Sequence, residues 1–356
     1  MKREFNVTFC QITLLICALL FFQTPSMLFA ESAADMDSQY NEPAEGTPML
    51  TANRLDDLVA PIALYPDPLV SQILVASTYP IELVEAYQWL QRNPGLKGQA
   101  LTDAAQEQNW DPSIQALLIF PDIIQRLNED VRWTTSLGNA FLAQQADVMS
   151  AIQRMRLKAQ QAGKLVSTPE QQVVTTPGAS QTIVTIIPTN PELMYVPVYN
   201  PVWIWGPATY YAYPQWYFAP HAPALFFSAG VPVRSFLVGG WTGWAGWGWY
   251  PHWTSHTIVV NNAFIQRYHF NSVHLLAPTG TSVWVHDPIH RHGIPYRPPT
   301  LPQHFRAAVP QHMPAPLTRP QIPPSGYYRN PAAGSGAFRF HGVPQYFHAA
   351  PQRRER

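Results

Sequence analysis

The chain has 356 residues, 46% of them hydrophobic, with 22 acidic and 22 basic side chains and two cysteines. Such a length can build one or two real hydrophobic cores. The balanced charge hides a polarity: residues 31–170 carry eighteen Asp/Glu against nine Lys/Arg, whereas 171–356 carry three acids against eleven arginines. Those arginines are dispersed, which argues against nucleic acid as a partner.

The first thirty residues form an export signal. Lys2 and Arg3 give a basic start, an apolar run extends from Val7 to Phe22, and Leu28-Phe29-Ala30 ends in a small residue. An uncleaved anchor is the alternative; a lipoprotein is not, because Ile16 precedes Cys17. Both cysteines, Cys10 and Cys17, lie inside this segment. Beyond it there is no thiol for a disulfide, a metal site or a nucleophile. The expected location is the periplasm, the cell envelope or the exterior.

Residues 31–52 read as a flexible acidic leader, and 53–165 as an α-helical domain of about six helices. Asp67-Pro68 and Asp111-Pro112 each suit an N-cap followed by proline at the first helical position. Pro80 and Pro121 also start helices. Leu83, Ala86, Tyr87 and Leu90 make one apolar stripe, which Asn93-Pro94-Gly95 ends. A last helix spans 143–161 and stops near Gly163.

The texture then changes, and 166–297 reads as a small, aromatic-rich, mainly-β domain. Thr182–Ile187 and Met194–Tyr199 predict two strands, joined through Pro188–Pro191 as a hairpin or small sheet. Pro197 confines the second to an edge or bulge. Thr257–Val260 is a third strand. Nine of twelve tryptophans lie between Trp203 and Trp284, and only Glu192, Arg234 and Arg267 carry formal charge between 177 and 285. The low-charge stretch 222–250 allows a membrane span, but its glycines, Pro232 and Arg234 oppose one. No transmembrane segment is expected after signal cleavage. Residues 298–356 hold twelve prolines and no periodicity, which predicts a disordered Pro/His/Arg-rich tail. The expected fold class is α+β: an all-α domain, then the small β domain, then the tail.

Four stretches carry a resemblance. "LDDLVAPIALYPDPLVSQILVASTYPIELVEAYQWLQRNP", "WDPSIQALLIFPDII", "YVPVYNP" and "WVHDPIHRHGIPYR" occur in that order. Together, over residues 54–297, they resemble the exported bacterial family known as domain of unknown function 3300. The resemblance implies an exported envelope protein and supplies no catalytic residues.

Chemistry concentrates in two places. His286, Asp287 and His290 could supply ligands to a transition metal at about 2 Å. Pro288 falls between the two histidines. If Asp287 caps a helix starting there, His286 lies outside it. The competing reading is a stiff loop: Asp287 accepts backbone or arginine hydrogen bonds, His286 and His290 pair locally, and Trp284 and Tyr296 anchor the ends. The second place is the aromatic set Trp203, Trp205, Trp216, Trp241, Trp244, Trp247, Trp249 and Trp253, expected to present rings to a partner protein or glycan. Tyr210, Tyr211, Tyr213 and Tyr217 add to it. Parts for catalysis are scarce: 171–297 holds two carboxylates, no lysine and no Gly-x-Ser-x-Gly elbow. The sequence requires no cofactor. It reads best as a non-catalytic interaction or scaffolding module that meets an envelope protein or a glycan. The alternative is a metal-binding envelope protein or metallohydrolase centred on residues 286–292.

Overall fold

The protein is described from a computed structural model, which places residues 49–178, 181–214, 216, 225–233, 246–267 and 280–297. The stretches read as an export signal and a Pro-rich tail, and residues 31–48 of the expected leader, lie outside the described residues. So do Trp241, Trp244 and part of the stretch 222–250.

The architecture is α+β. Eight α-helices come first among the described residues: α1 (Ala52–Val59), α2 (Asp67–Ala76), α3 (Pro80–Arg92), α4 (Gly98–Gln106), α5 (Pro112–Leu117), α6 (Pro121–Glu129), α7 (Val131–Ala143) and α8 (Gln145–Gln161). Small sheets follow. β1 (Gln171–Thr176) pairs antiparallel with β2 (Ile183–Pro188). Two-residue bridges join β3 (Leu193–Met194) to β6 (Val231–Pro232), and β4 (Pro197–Val198) to β5 (Phe226–Phe227). A short α9 (Pro201–Trp205) lies between β4 and β5, and β7 (Trp249–His252), β8 (Thr257–Asn261) and β9 (Thr281–Val283) form a three-stranded antiparallel sheet. A six-residue α10 (Asn262–Arg267) follows β8.

Proline sets several helix starts. Pro80, Pro112 and Pro121 each occupy the first turn, where the missing N–H leaves no bond unmade. Asp111 caps α5 as expected: its Oδ1 accepts from the Ser113 N–H at 2.8 Å. Asp67 does not cap α2. The position before the helix is Pro66, and the Asp67 carboxylate is spent on a buried arginine instead. Gly163 ends α8 at φ +67°, the left-handed conformation that lets Lys164 N–H reach the Ala159 carbonyl at 2.8 Å.

The central helix is α2. All ten of its residues are buried, so it is enclosed on every side; its apolar residues face all round, and the polar Ser71 and Gln72 donate to the carbonyls of Asp67 and Ser113. It packs against α5, α7, β2 and β7. One apolar cluster runs from Leu58, Ile73, Leu117 and Phe141 on the helices to Val184, Ile186, Trp249, Ile258 and Phe264 on and beside the strands. At its heart Arg156 of α8 is fully buried. It bonds Asp67 Oδ1 at 2.5 Å and the carbonyls of Ala63, Tyr65 and Val184 at 2.8–2.9 Å, and its guanidinium lies 4.9 Å from the Trp253 ring centroid.

Two expectations are corrected. The strand at 183–188 does not form a hairpin with 194–199. Its partner is the preceding β1, whose polar Gln-Gln-Val-Val-Thr-Thr keeps a half-exposed edge, while Val184 and Ile186 of β2 turn into the core. The 194–199 run is broken into bridges, since Pro197 has no N–H to continue a ladder. Four tryptophans expected on a surface are core residues: Trp216, Trp247, Trp249 and Trp253 are each 6% exposed or less. Trp247 and Trp249 pack on Phe264, and Trp247 also on Phe120 of the helical region. The helices supply the wall that the glycine-spaced rings lack locally.

Close packing between α7 and the turn after α2 depends on Gly138. A Cβ there would sit 2.1 Å from the Ser77 carbonyl oxygen and 2.5 Å from its carbon, both backbone atoms that cannot swing aside. Gly138→Ala is expected to cost about 1–3 kcal/mol by overpacking. Urea unfolding measures it, and a cost under about 0.5 kcal/mol would mean that the two segments can separate freely.

Candidate functional site

The histidine-bearing turn is pinned to the helical region. Pro288–Arg291 forms one 3-10 turn, and Asp287 caps it, its Oδ1 accepting from the Ile289 N–H at 2.9 Å. The Asp287 N–H donates to the Tyr79 hydroxyl at 3.0 Å. His286 stacks on Tyr79 with ring centroids 5.1 Å apart, and its Nε2 lies 3.0 Å from the Tyr296 hydroxyl. Trp284 stacks on Phe141 of α7. Arg291, nearly fully buried, gives its guanidinium protons to the carbonyls of Thr78, Ile294 and Pro295 and to Asn139 Oδ1, and sits 4.5 Å from the Tyr296 ring centroid.

The centre of this arrangement is Glu82, fully buried in the first turn of α3. Its Oε1 meets His290 Nδ1 at 2.6 Å and His292 Nε2 at 3.1 Å, while Oε2 accepts from the Asp111 N–H at 2.7 Å. His292 reaches it from a left-handed backbone, φ 52°. Burial pushes the Asp111 carboxyl up to about 6, with the Glu82 charge adding; the Ser113 hydrogen bonds and His290 pull the other way. For His290, burial opposes the charged form, yet the hydrogen bond and charge of Glu82, helped by Asp111 and Asp287, raise the imidazole overall. Tyr79 is held well above the usual phenol range by burial and by the Asp111 charge.

The structure therefore separates the three residues expected to ligate a metal. His286 turns to Tyr296, Asp287 to its own backbone, and His290 to Glu82. Among the described residues, no group of three or more His, Asp or Glu is arranged to hold a metal ion. Chemically the cluster is a clamp that fastens residues 286–292 to α3. Glu82 was missed at the sequence level, but it lies four residues before Ala86, on the apolar stripe of α3. A carboxylate on the buried face is a signal that a partner must come to it.

The aromatic set divides. Trp216, Trp247, Trp249 and Trp253 are core, and Trp241 and Trp244 lie outside the described residues. Trp203 is 53% exposed, and Trp205 half-buried, both on α9. Asn200 caps α9, accepting from the Val202 N–H at 2.9 Å. Beside α9 opens a groove of about 400 Å³ whose walls include Trp205, Tyr210, Tyr213, Asn53, Asp57 and Lys158. Tyr210 is 53% exposed. Its loop is held by Asp57, whose Oδ2 accepts from the N–H groups of Thr209, Tyr210 and Tyr211 at 3.0, 2.7 and 3.3 Å. Asp56 next to it is neutralised by Arg154 and Lys158, both at 2.7 Å. Sequence reasoning had no access to Asp57 as the organiser of a loop some 150 residues away.

Fold and sites define an α+β protein with one shared core, a buried histidine–carboxylate clamp and a small aromatic groove. The family model described as "Protein of unknown function (DUF3300)" matches residues 51–286, and the chain belongs to that family. It is similar to the uncharacterized protein YacH of Escherichia coli (strain K12): 37% identical over 214 residues, covering 52% of this chain and 35% of that protein. The chain thus spans about a third of the length of that relative. No solved structure matches it. No helix among the described residues is long and apolar enough to cross a membrane.

Proposed function

We propose that the chain is an exported, non-catalytic interaction module of a bacterial cell envelope, and that it meets its partner through the aromatic side chains of 203–213. One observation carries this reading. Trp203 and Tyr210 are both more than half exposed, and Tyr210 lines a groove whose loop is fixed by Asp57, whereas Asp287 and His290 are buried and bonded within the protein. Large rings held rigidly at a surface give contact area at small entropic cost. Support for export comes from the basic start, apolar run and small residue at Ala30.

The test uses the exported full chain, incubated with washed bacterial envelopes and sedimented. The double variant Trp203→Ala/Tyr210→Ala is expected to reduce the sedimenting fraction about tenfold, equivalent to about 1.4 kcal/mol, with an unchanged thermal midpoint because neither ring is in the core. Undiminished sedimentation of a folded variant would remove the surface from consideration.

A further inference from the structure

We propose that the groove beside α9 binds an uncharged oligosaccharide of hexopyranose units. This deepens the interaction-module reading and rests on it.

Three features of the groove select such a ligand. The first is aromatic. Trp205 is fixed by its indole N–H, which donates to the Met155 carbonyl at 3.0 Å, and by edge contact with Tyr199. Tyr210 stands exposed beside it, and Tyr213 closes the wall. The C–H face of a pyranose ring is apolar and flat, and it packs on such faces while its hydroxyls project sideways.

The second is a shortage of donors opposite a ready acceptor. Asp57 commits Oδ2 to three backbone N–H groups and makes no hydrogen bond through Oδ1 among the described residues. Its orientation is thereby locked, and the remaining oxygen offers a charge-assisted acceptor to a hydroxyl. The exposed Asn53 amide adds a donor and an acceptor at the same rim. Burial and the charges of Asp57 and Asp56 push the Tyr213 phenol up to about 12, so its O–H remains a proton donor at neutral pH.

The third is charge. Both oxygens of Asp56 are taken by Arg154 and Lys158, and Asp57 is compensated by backbone dipoles. The rim carries both signs, Asp57 against Lys158 and the Arg54 guanidinium 6.0 Å from the Tyr210 ring centroid, so it favours neither net charge. A proline-rich peptide would also suit the rings, but it brings few N–H donors and would leave Asp57 Oδ1 unsatisfied beneath it. A polyol brings donors. The cavity, about 400 Å³, falls in the range of small-ligand sites, about 300–1,000 Å³.

The experiment is a calorimetric titration of the full exported chain with cellotetraose, with N-acetylchitotetraose, with permethylated cellotetraose and with a decaproline peptide. Saturable binding of at least one free tetrasaccharide is expected, together with loss of about tenfold or more in Tyr210→Ala. A several-fold loss is expected in Asn53→Ala, and no binding of the permethylated sugar, which lacks donors. Both substituted residues are exposed, so both variants keep the fold, checked by an unchanged thermal midpoint. Failure of both free sugars at millimolar concentration overturns the proposal, as does equal binding of the permethylated one. Binding of decaproline alone overturns it in favour of a polypeptide ligand. If envelope sedimentation still depends on Trp203 and Tyr210 while no sugar binds, the interaction surface stands and the sugar assignment falls.

Discussion

Replacing Arg156 with methionine is expected to destabilise the protein by about 3–5 kcal/mol, the range for breaking a buried ion pair from one side. The side chain is fully buried and satisfies Asp67 together with the carbonyls of Ala63, Tyr65 and Val184. Methionine fills similar volume but donates nothing, so three carbonyls and one carboxylate oxygen lose a partner in a low-dielectric core. Asp67 would keep only the Trp253 indole N–H at 2.8 Å and the Ile186 N–H at 3.3 Å. Arg156→Lys should recover only part of the loss, because an ammonium cannot span four acceptors in a plane or stack on Trp253 as a guanidinium does. In the double variant Asp67→Leu/Arg156→Met the unpaired charge is gone. Its cost should therefore be smaller than the sum of the single costs, but not zero, since Trp253 and Ile186 then lose their acceptor. Urea unfolding of the four proteins gives the coupling directly. A single-variant cost below about 1 kcal/mol, or additive single costs, would show that the pair does not join α2, α8 and β2 as described.

The same residues show where sequence legibility ends. The stripe of α3, the Asp111 cap and the prolyl starts are local, and each is readable because its cause lies within four residues. The α+β order is readable because the texture changes after Gly163. The Asp67–Arg156 pair is not readable: its members lie 89 positions apart, and Asp67-Pro68 matches a capping pattern better than it matches an ion pair. β1 is missed for a different reason. Gln171-Gln172 and Thr175-Thr176 are ordinary loop residues, and only the pairing of Val173 with Ile186 reveals a strand. The tryptophans mislead because exposure is a property of the neighbour. Trp247 sits between glycines, yet Phe120, brought from α6's start, covers it. At 284–296 the sequence supplies the cap, the Pro288 start and the aromatic anchors, but the partner of His290 lies 208 residues upstream. A histidine cluster with a remote, buried carboxylate looks, on its own, like a ligand set in search of a metal.

Removal of the Glu82 carboxylate is expected to cost about 3 kcal/mol or more and to change how stability responds to pH. In Glu82→Ala the Asp111 N–H, His290 and His292 lose one shared acceptor, and the turn 288–292 is no longer fastened to α3. The pH effect follows from the directions of two shifts. The His290 imidazole is raised in the folded protein above its ordinary value of 6.5. Its contribution is fully present below that value and is lost as pH climbs through the folded one. Asp111 is raised from 3.8 to about 6, so the folded state also holds that proton more tightly, and its contribution is lost earlier, between those two values. The groups facing this pair are Glu82, Asp287, Tyr79 and His292. Above about pH 6.5 the Asp111 contribution has mostly gone, and His290 dominates what remains. The urea midpoint of the wild-type protein should therefore fall as pH rises from about 6.5 through the raised folded value, and His290→Gln, which cannot take up the proton, should flatten that interval. Glu82→Ala should flatten it as well, from a lower starting midpoint, because without the carboxylate the largest favourable influences on the imidazolium are gone and only the charges of Asp111 and Asp287 stand against burial. A wild-type midpoint that rises across this interval, or a His290→Gln slope equal to wild type, would mean that the imidazole is not held protonated by Glu82. The clamp would then owe its strength to the neutral contacts of Tyr79, Tyr296 and Arg291.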